Sequence, residues 1–531
     1  MEKELVRKTL IRECIGCRTS MTTDMWTSAA KRGYMVVTLH WMSLDWIMRS
    51  VILGFKRVEY PHTGIRLADH FLDVIMEMDG ELLKSVWAIT TDNASNNGTM
   101  VDTINNRLPN QLRQQMEINI ASSAAVETSA AINDTEPLVV FQVHCMAHVL
   151  QLAVKAGLQK CPFVDSSIGD VRDILKKIAE SPSLLEGLKS VCEALQISFR
   201  IPELDCVTRW NSTWDMVSTA IKLRKPVEEL QRRIRERHTG YTEFKIGPDS
   251  RLARELSTDT WDALSQFHRF LTPVKAATTM MSGKNYPTFG MAVVVFDMIS
   301  KHATKVVRSA TSQYTVAFAT AFEAKLDAYK EAVKTREAKI AAVLDPRAKQ
   351  LVQSGDADME PFKRCVCDEY ESKYRPTFEA QQHESRTPQR SPQEEQDAEL
   401  YEALNDLIDD SYGIGAPTTF DGEPFSSELD RWLAHRDKPM HSKTKSREVC
   451  KWMRSVVGFP RIQLMARDFL AVMATSVPSE QAFSAAGSTV SVTRARLGDE
   501  AVQAVSEMQS FLKFNKATEK LLSDVNDSEG E

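Results

Sequence analysis

The sequence predicts an α/β domain followed by a larger all-helical part, and three observations carry that prediction. Short runs rich in β-branched and aromatic residues lie before His144. Beyond them, apolar residues recur mainly at helical spacing. Near the end, Ser476-Val477-Pro478-Ser479-Glu480-Gln481-Ala482-Phe483-Ser484-Ala485-Ala486-Gly487 reads as a helix start. There Ser476 can accept from a first-turn N–H, and Pro478 loses no helical bond. Glu480 falls in the first turn, where a carboxylate complements the helix dipole.

Each element follows in order. Leu5–Ile15 reads as a helix. Thr19–Ser28, carrying Asp24, is the first strand, and Tyr34–Trp41 (YMVVTLHW) the second. A turn around Ser43–Asp45 leads to Trp46–Phe55 (WIMRSVILGF), the third. Leu67, Phe71, Leu72, Ile75 and Met76 give Ile65–Met78 a helical stripe. Val86–Thr91 is a short apolar strand ending at Asp92, and polar Asn93–Asn97 suits the start of a helix from Met100 to Leu108. Gln114–Glu136, rich in Ala, Ser, Thr and Asn, reads as a surface loop before a strand at Val139–Val143 and a helix from His144. Asp170–Leu195, Lys222–Arg237, Asp259–Lys275, Phe289–Val307 and Thr315–Lys334 read as helices, as do Phe459–Ala471 and a last one with Val502, Val505, Met508, Phe511 and Leu512. The order strand, strand, strand, helix, strand, helix, with aspartates on the first and fourth strands, is similar to the ribonuclease-H-like fold.

Composition bounds the function. The 531 residues allow two to four domains. Hydrophobic content of 43% and charged content of 26% suit a soluble globular protein. The net charge of −6 does not advertise nucleic-acid binding, so any DNA surface is local. Nine cysteines make no disulfide framework and point to a reducing compartment, cytosol or nucleus. No apolar run is long enough to cross a bilayer, and Met1–Lys8 lacks a signal-peptide core.

A lone Asp after a strand is ordinarily a turn or cap residue. Here two occur in distinctive strings, Thr-Asp24-Met-Trp-Thr-Ser and Thr-Asp92-Asn-Ala-Ser-Asn-Asn, and Ser-Glu480-Gln-Ala-Phe-Ser is followed by Arg494-Ala495-Arg496-Leu497. Together these strings resemble the hAT transposase family from about Thr19 to Lys513. The resemblance implies a ribonuclease-H-like mixed sheet interrupted by a large helical insertion, with C-terminal helices completing the catalytic core. It implies that Asp24, Asp92 and Glu480 are catalytic and hold two Mg2+ or Mn2+ ions for DNA strand cleavage, with a hairpin on the flank, and strand transfer. Convergent carboxylates on rigid strands are what a two-metal phosphoryl-transfer site needs. It further implies DNA partners (transposon ends and target), a homodimer or higher homo-oligomer through the C-terminal region, no membrane, and the nucleus. A catalytically silent relative that binds DNA and dimerises is the alternative.

Cys145 and His148 lie one helical turn apart and have zinc-compatible spacing, but no nearby pair completes a site; Cys14-Ile-Gly-Cys17 lacks a downstream His pair. No structural zinc is expected. Many relatives carry an N-terminal BED-type finger, and this chain is read as lacking it. By resemblance His148 contacts DNA near the cleaved bond, the alternative being a buried Cys and a helix-face His. Thr208-Arg209-Trp210-Asn211-Ser212-Thr213 matches a family segment that steadies a DNA hairpin: Arg209 would hold a phosphate and Trp210 stack on a base, the alternative being a core face shared with Trp214. The mixed charges between Lys222 and Arg237 read as a solvated helix face. Lys443, Lys445, Arg447 and Lys451, with Arg436, Lys438 and Arg454, form the best local basic patch and are expected to bind the DNA backbone. The domains are drawn as 1–169, first part of the catalytic domain; 170–375, helical insertion; 376–400, a disordered linker rich in Pro, Gln and Glu; 401–455, end of the insertion; 456–515, catalytic helix and dimerisation region; and 516–531, an acidic tail.

Overall fold

The computed structural model describes residues 1–15, 17–28, 31–122, 139–207, 209–236, 250–354, 359–375, 419–420, 423–424, 428–435, 448–489 and 498–528. They divide into two compact units. One is Met1–Cys145, Met281–Val294 and Ala332–Glu531; the other is Met146–Met280 and Val295–Glu331. The break falls at Cys145, and the chain from Ala332 onward groups with the sheet, so these units cut the chain differently from boundaries drawn on composition.

In chain order, α1 (Glu2–Cys14) precedes β1 (Thr19–Thr27), β2 (Gly33–Met42) and β3 (Met48–Val58); then come α2 (Gly64–Met78), β4 (Val86–Thr91), α3 (Ser95–Ser122) and β5 (Phe141–His144). The helical stretch holds α4 (Met146–Gln159), α5 (Pro162–Glu180), α6 (Pro182–Ala194), α7 (Trp210–Lys222), α8 (Arg224–Arg235), α9 (Thr258–Met281), α10 (Phe289–Ser309) and α11 (Gln313–Asp327). There follow α12 (Lys330–Val333), α13 (Arg336–Leu344), α14 (Pro346–Ser354), α15 (Glu360–Glu369), α16 (Glu428–Ala434), α17 (Glu448–Ser455), α18 (Pro460–Leu470), α19 (Val477–Thr489) and α20 (Asp499–Ser528).

The sheet of the first unit has the order β3-β2-β1-β4-β5. β1 to β3 form an antiparallel meander, while β4 and β5 run parallel to β1. Strand alternation sorts side chains to two faces. Met21, Leu39 and Ile89 join the larger core with α2 residues such as Phe71 and Ile75. Tyr34, Val36 and Phe55 join Ala482, Phe483 and Ala486 on the opposite face. The exposed edge of β3 is covered by α20: Ser510 Oγ accepts from the Ile52 N–H (3.0 Å) and Glu507 Oε1 from the Phe55 N–H (3.0 Å). Edge strands otherwise offer unpaired backbone groups for aggregation.

Two sequence expectations are corrected. α3 starts at Ser95 and continues through Ser122, so the loop read from Gln114 is helical in its first part; residues 123–138 lie outside the described set. Asp170–Leu195 is not one helix. Pro182 breaks it after Glu180, and Ser181 caps α6 by accepting from the Leu184 N–H.

In the second unit, Asp205 anchors the segment between α6 and α7. Its carboxylate is fully buried and takes two bonds from Arg172 (2.7 and 2.8 Å) and one from Thr213 Oγ1 (2.7 Å). Trp214 stacks on His268, with centroids 4.5 Å apart.

His40 of β2 is fully buried, and burial first, then the Lys284 charge, pushes it down to about 3. The folded pKa lies below the ordinary value near 6.5, so the stability it confers is present above that value and lost as pH falls toward 3. The unfolding free energy of the wild type is expected to fall by up to about 1.4 kcal/mol per pH unit below pH 6 on this account. Urea unfolding at pH 7 and 5 for wild type and His40→Gln checks it: the variant has the shallower slope, and equal slopes would refute the assignment.

Candidate active site and nucleic-acid surface

The parallel pairing of β1 with β4 sets Thr22 opposite Thr90. Asp24, inside β1, and Asp92, just past the end of β4, each lie two residues beyond that pair, so both follow the paired stretch in the same direction. Asp24 pairs across β2 with Val36 and lies between Thr22 and Trp26 on one strand face. Thr22 Oγ1 accepts from Ser479 Oγ (2.9 Å), and the Trp26 ring lies 5.9 Å from that of Phe483. Both contacts are to α19, so the face of β1 that carries Asp24 is the face against which α19 packs.

The chain reaches that face through a buried return segment. Ala471–Ser476 are each at most 1% exposed. Ser20 Oγ donates to the Ala471 carbonyl (2.8 Å), and Thr90 Oγ1 to that of Met473 (2.7 Å). Thr288 Oγ1 accepts from the Ala474 N–H (3.0 Å), and Cys145 Sγ from the Ser476 N–H (3.3 Å). Buried backbone groups need such partners, and the strand hydroxyls supply them. These hydroxyls went unnoticed in the sequence. The signal was there: Thr19-Ser20-Met21-Thr22-Thr23 and Thr90-Thr91 put hydroxyls where a central strand ordinarily carries apolar side chains.

α19 opens at Ser476, whose carbonyl accepts from the N–H groups of Ser479 and Glu480. Ser479, Ala482, Phe483 and Ala486 face the sheet. Pro478, Gln481 and Ala485 line a groove with Thr38 of β2, Met48–Ile52 of β3 and Lys513 of α20. At 100° per residue, Glu480 falls on the other flank, the side of β1 and β4. It is half-buried, as are Asp24 and Asp92.

The donor set is all carboxylate, which suits a hard divalent cation. In their present conformations, however, the described residues include no group of three His, Cys, Asp or Glu side chains that could hold a metal ion, and all three acids are described. Asp92 is engaged in its own turn, accepting at Oδ1 from the Ala94 N–H (3.1 Å) and from Asn97 Nδ2. Asp24 Oδ1 accepts from the Met25 N–H (2.8 Å).

The expected DNA-binding residues separate. His148 is half-buried on α4, in the second unit. Arg209 is exposed at the N-terminus of α7. Trp210 is 4% exposed, and its backbone N–H donates to Gln151 Oε1 (3.0 Å). The Trp210 ring is thus packed among protein side chains, as the alternative of a core face describes. Lys451 is exposed on α17, as is Arg454. Lys443, Lys445 and Arg447, with Arg436 and Lys438, lie outside the described residues.

Comparison with known proteins now bears on these features. The ZBED1 RNase-like domain matches residues 22–118, the ZBED1 RNase-like helical domain residues 143–270, and the hAT family C-terminal dimerisation region residues 428–512. The chain belongs to the hAT family. Its sheet and helices fit the ribonuclease-H-like fold. A putative AC transposase of Zea mays is 27% identical over 512 residues, 92% of this chain and 56% of the relative. The zinc finger BED domain-containing protein DAYSLEEPER of Arabidopsis thaliana is 24% identical over 524 residues, 97% of this chain and 66% of the relative. RICESLEEPER 2 of Oryza sativa subsp. japonica, of the same description, is 21% identical over 530 residues, covering 94% and 66%. The hAT chain thus spans little more than half the length of the maize relative. No helix among its described residues is long and apolar enough to cross a membrane.

Proposed function

We propose that this hAT chain is a transposase that cuts and joins DNA with the help of divalent cations. The observation that supports the reading is the parallel pairing of β1 with β4 up to Thr22 and Thr90, two residues before Asp24 and Asp92, with the Glu480 helix bonded to the same face of β1 through Ser479 and Thr22. Asp24, Asp92 and Glu480 would hold two Mg2+ or Mn2+ ions. Bound there, such ions activate a water or a DNA 3′-hydroxyl and stabilise the leaving oxygen of an in-line displacement. The contribution of the chain would be to bring the three carboxylates to one region of the sheet. Asp24 is carried by β1, Asp92 by the turn that follows β4, and the buried return segment sets the base of α19. His148, Arg209, Lys443, Lys445, Arg447 and Lys451 would contact the DNA backbone, making binding strongly salt-dependent. On this reading the chain would also form a hairpin on the flank, transfer strands into target DNA, assemble through its C-terminal region and act in the nucleus, as the family resemblance implies.

A second reading has one observation in its favour. The three acids do not stand as a metal-holding group, which suits a relative that binds DNA and dimerises without cutting it. Cleavage of DNA in Mg2+ or Mn2+ by wild type and Asp92→Asn separates the two. Metal-dependent cleavage lost in the variant supports the transposase; no metal-dependent difference leaves the silent relative.

A further inference from the structure

The proposed site needs Glu480 at one fixed place, and a buried charge cluster at the far end of β1 bears on where that is. Arg18, just before β1, donates its backbone N–H to Asp468 Oδ1 (3.1 Å). Its guanidinium bonds Glu369 (3.3 Å), lies 3.9 Å from Asp468 Oδ2, and stacks 4.5 Å from the Trp87 ring centroid. Tyr374 donates its hydroxyl to Asp468 Oδ2 (2.7 Å) from a π-helical turn, Tyr370–Tyr374, of a kind often found at functional positions. Glu369, 2% exposed, also pairs with Arg336 (2.7 Å) and Lys373 (3.7 Å). Buried ion networks are weak sources of net stability, and specifying one arrangement is their better-attested use.

The arrangement specified here is a register. Asp468 lies in the last turn of α18, and three residues later begins the buried segment whose carbonyls meet Ser20 and Thr90. Sliding that segment by one residue along β1 would turn the Ala471 and Met473 carbonyls away from those hydroxyls and leave them buried without partners. Arg18, just before β1, is two residues from Ser20. Pinning Asp468 to Arg18 therefore fixes which residue follows at each hydroxyl, and through Ser479 on Thr22 it fixes the start of α19.

We propose that Arg18, Glu369, Tyr374 and Asp468 form a latch that sets the register of the return segment on the sheet and thereby positions Glu480. They are positioning residues, and their link to chemistry rests on the metal-dependent reading above. Burial pushes the Asp468 carboxyl above its usual range, so a neutral amide suits the site. In Asp468→Asn the carbonyl oxygen still accepts from the Arg18 N–H, and the amide can donate to the Tyr374 hydroxyl. Asp468→Ala loses both contacts, and Tyr374→Phe loses one.

The test measures two quantities on the full chain: Mn2+ affinity, and hydrogen exchange of residues 471–480 against that of β2 and β3. Asp468→Ala is expected to weaken Mn2+ binding by about 10- to 100-fold, as loss of an outer supporting contact does. It should also speed exchange in 471–480 while leaving β2 and β3 protected. Asp468→Asn should stay close to wild type in both, and Tyr374→Phe should fall between. A folded Asp468→Ala with wild-type exchange in 471–480 overturns the latch. If Asp468→Ala does not fold, Tyr374→Phe decides by the same exchange criterion. If wild type binds no Mn2+ in a manner sensitive to Asp92→Asn, the metal-dependent reading fails instead, and the exchange data alone still decide the register.

Discussion

Asp92→Asn is expected to lower Mg2+- or Mn2+-dependent strand cleavage on the order of 100-fold or more, with DNA affinity little changed. The substitution is nearly isosteric. Its amide oxygen can still accept from the Ala94 N–H, so the turn after β4 survives. What it removes is the negative charge and one hard oxygen ligand. Asp24→Asn, on the adjacent strand β1, should behave the same way. The expected pattern is loss of rate without loss of binding, because backbone recognition is assigned to the basic residues. Gel-based cleavage in Mn2+ together with anisotropy on the same duplex reads both quantities. Equal cleavage by wild type and variant would remove Asp92 from the chemistry.

Phe483→Ala is expected to destabilise the sheet-bearing unit by about 3–5 kcal/mol, the usual cost of emptying a buried Phe site. The ring is 5% exposed and packs between Trp26 (5.9 Å between centroids) and Phe55 (5.7 Å, edge-on). Ala482 and Ala486, its neighbours on the same helix face, are too small to fill the gap. The loss therefore falls on the attachment of α19 to β1 and β2. Urea unfolding reads the destabilisation, and hydrogen exchange across 477–486 localises it. A loss under 1 kcal/mol would mean that α19 is held by other contacts. Cleavage should fall further than stability alone explains, because the carrier of Glu480 is loosened.

Much of this arrangement was legible in the sequence. The strand runs before His144 appear as β1 to β5, because β-branched and aromatic residues fit a pleated surface and nothing local competes. Pro478 in the first turn of α19 marked its start. The break at Pro182 has an equally local cause, a proline at the first position of a new helix, which the apolar pattern running through it masks. Other features have no local signature. Pairing of β4 with β1 rather than β3 is a tertiary choice, and it is this pairing that sets Thr22 and Thr90, each two residues before an aspartate, side by side. The fate of Trp210 depended on what packs around it, which spacing to Trp214 could not reveal. The roles of Ser20, Thr22 and Thr90 depended on a segment hundreds of residues away, although the excess of hydroxyls on a buried strand should have prompted the question.

Mn2+ titration of the full chain, followed by electron paramagnetic resonance, tests the central claim most directly. The account predicts that wild type binds Mn2+ and that Asp24→Asn, Asp92→Asn and Glu480→Gln each weaken that binding, since the three carboxylates share the ions. Wild-type affinity in Glu480→Gln, with the aspartate variants impaired, would contradict the claim that the helix beginning at Val477 completes the site.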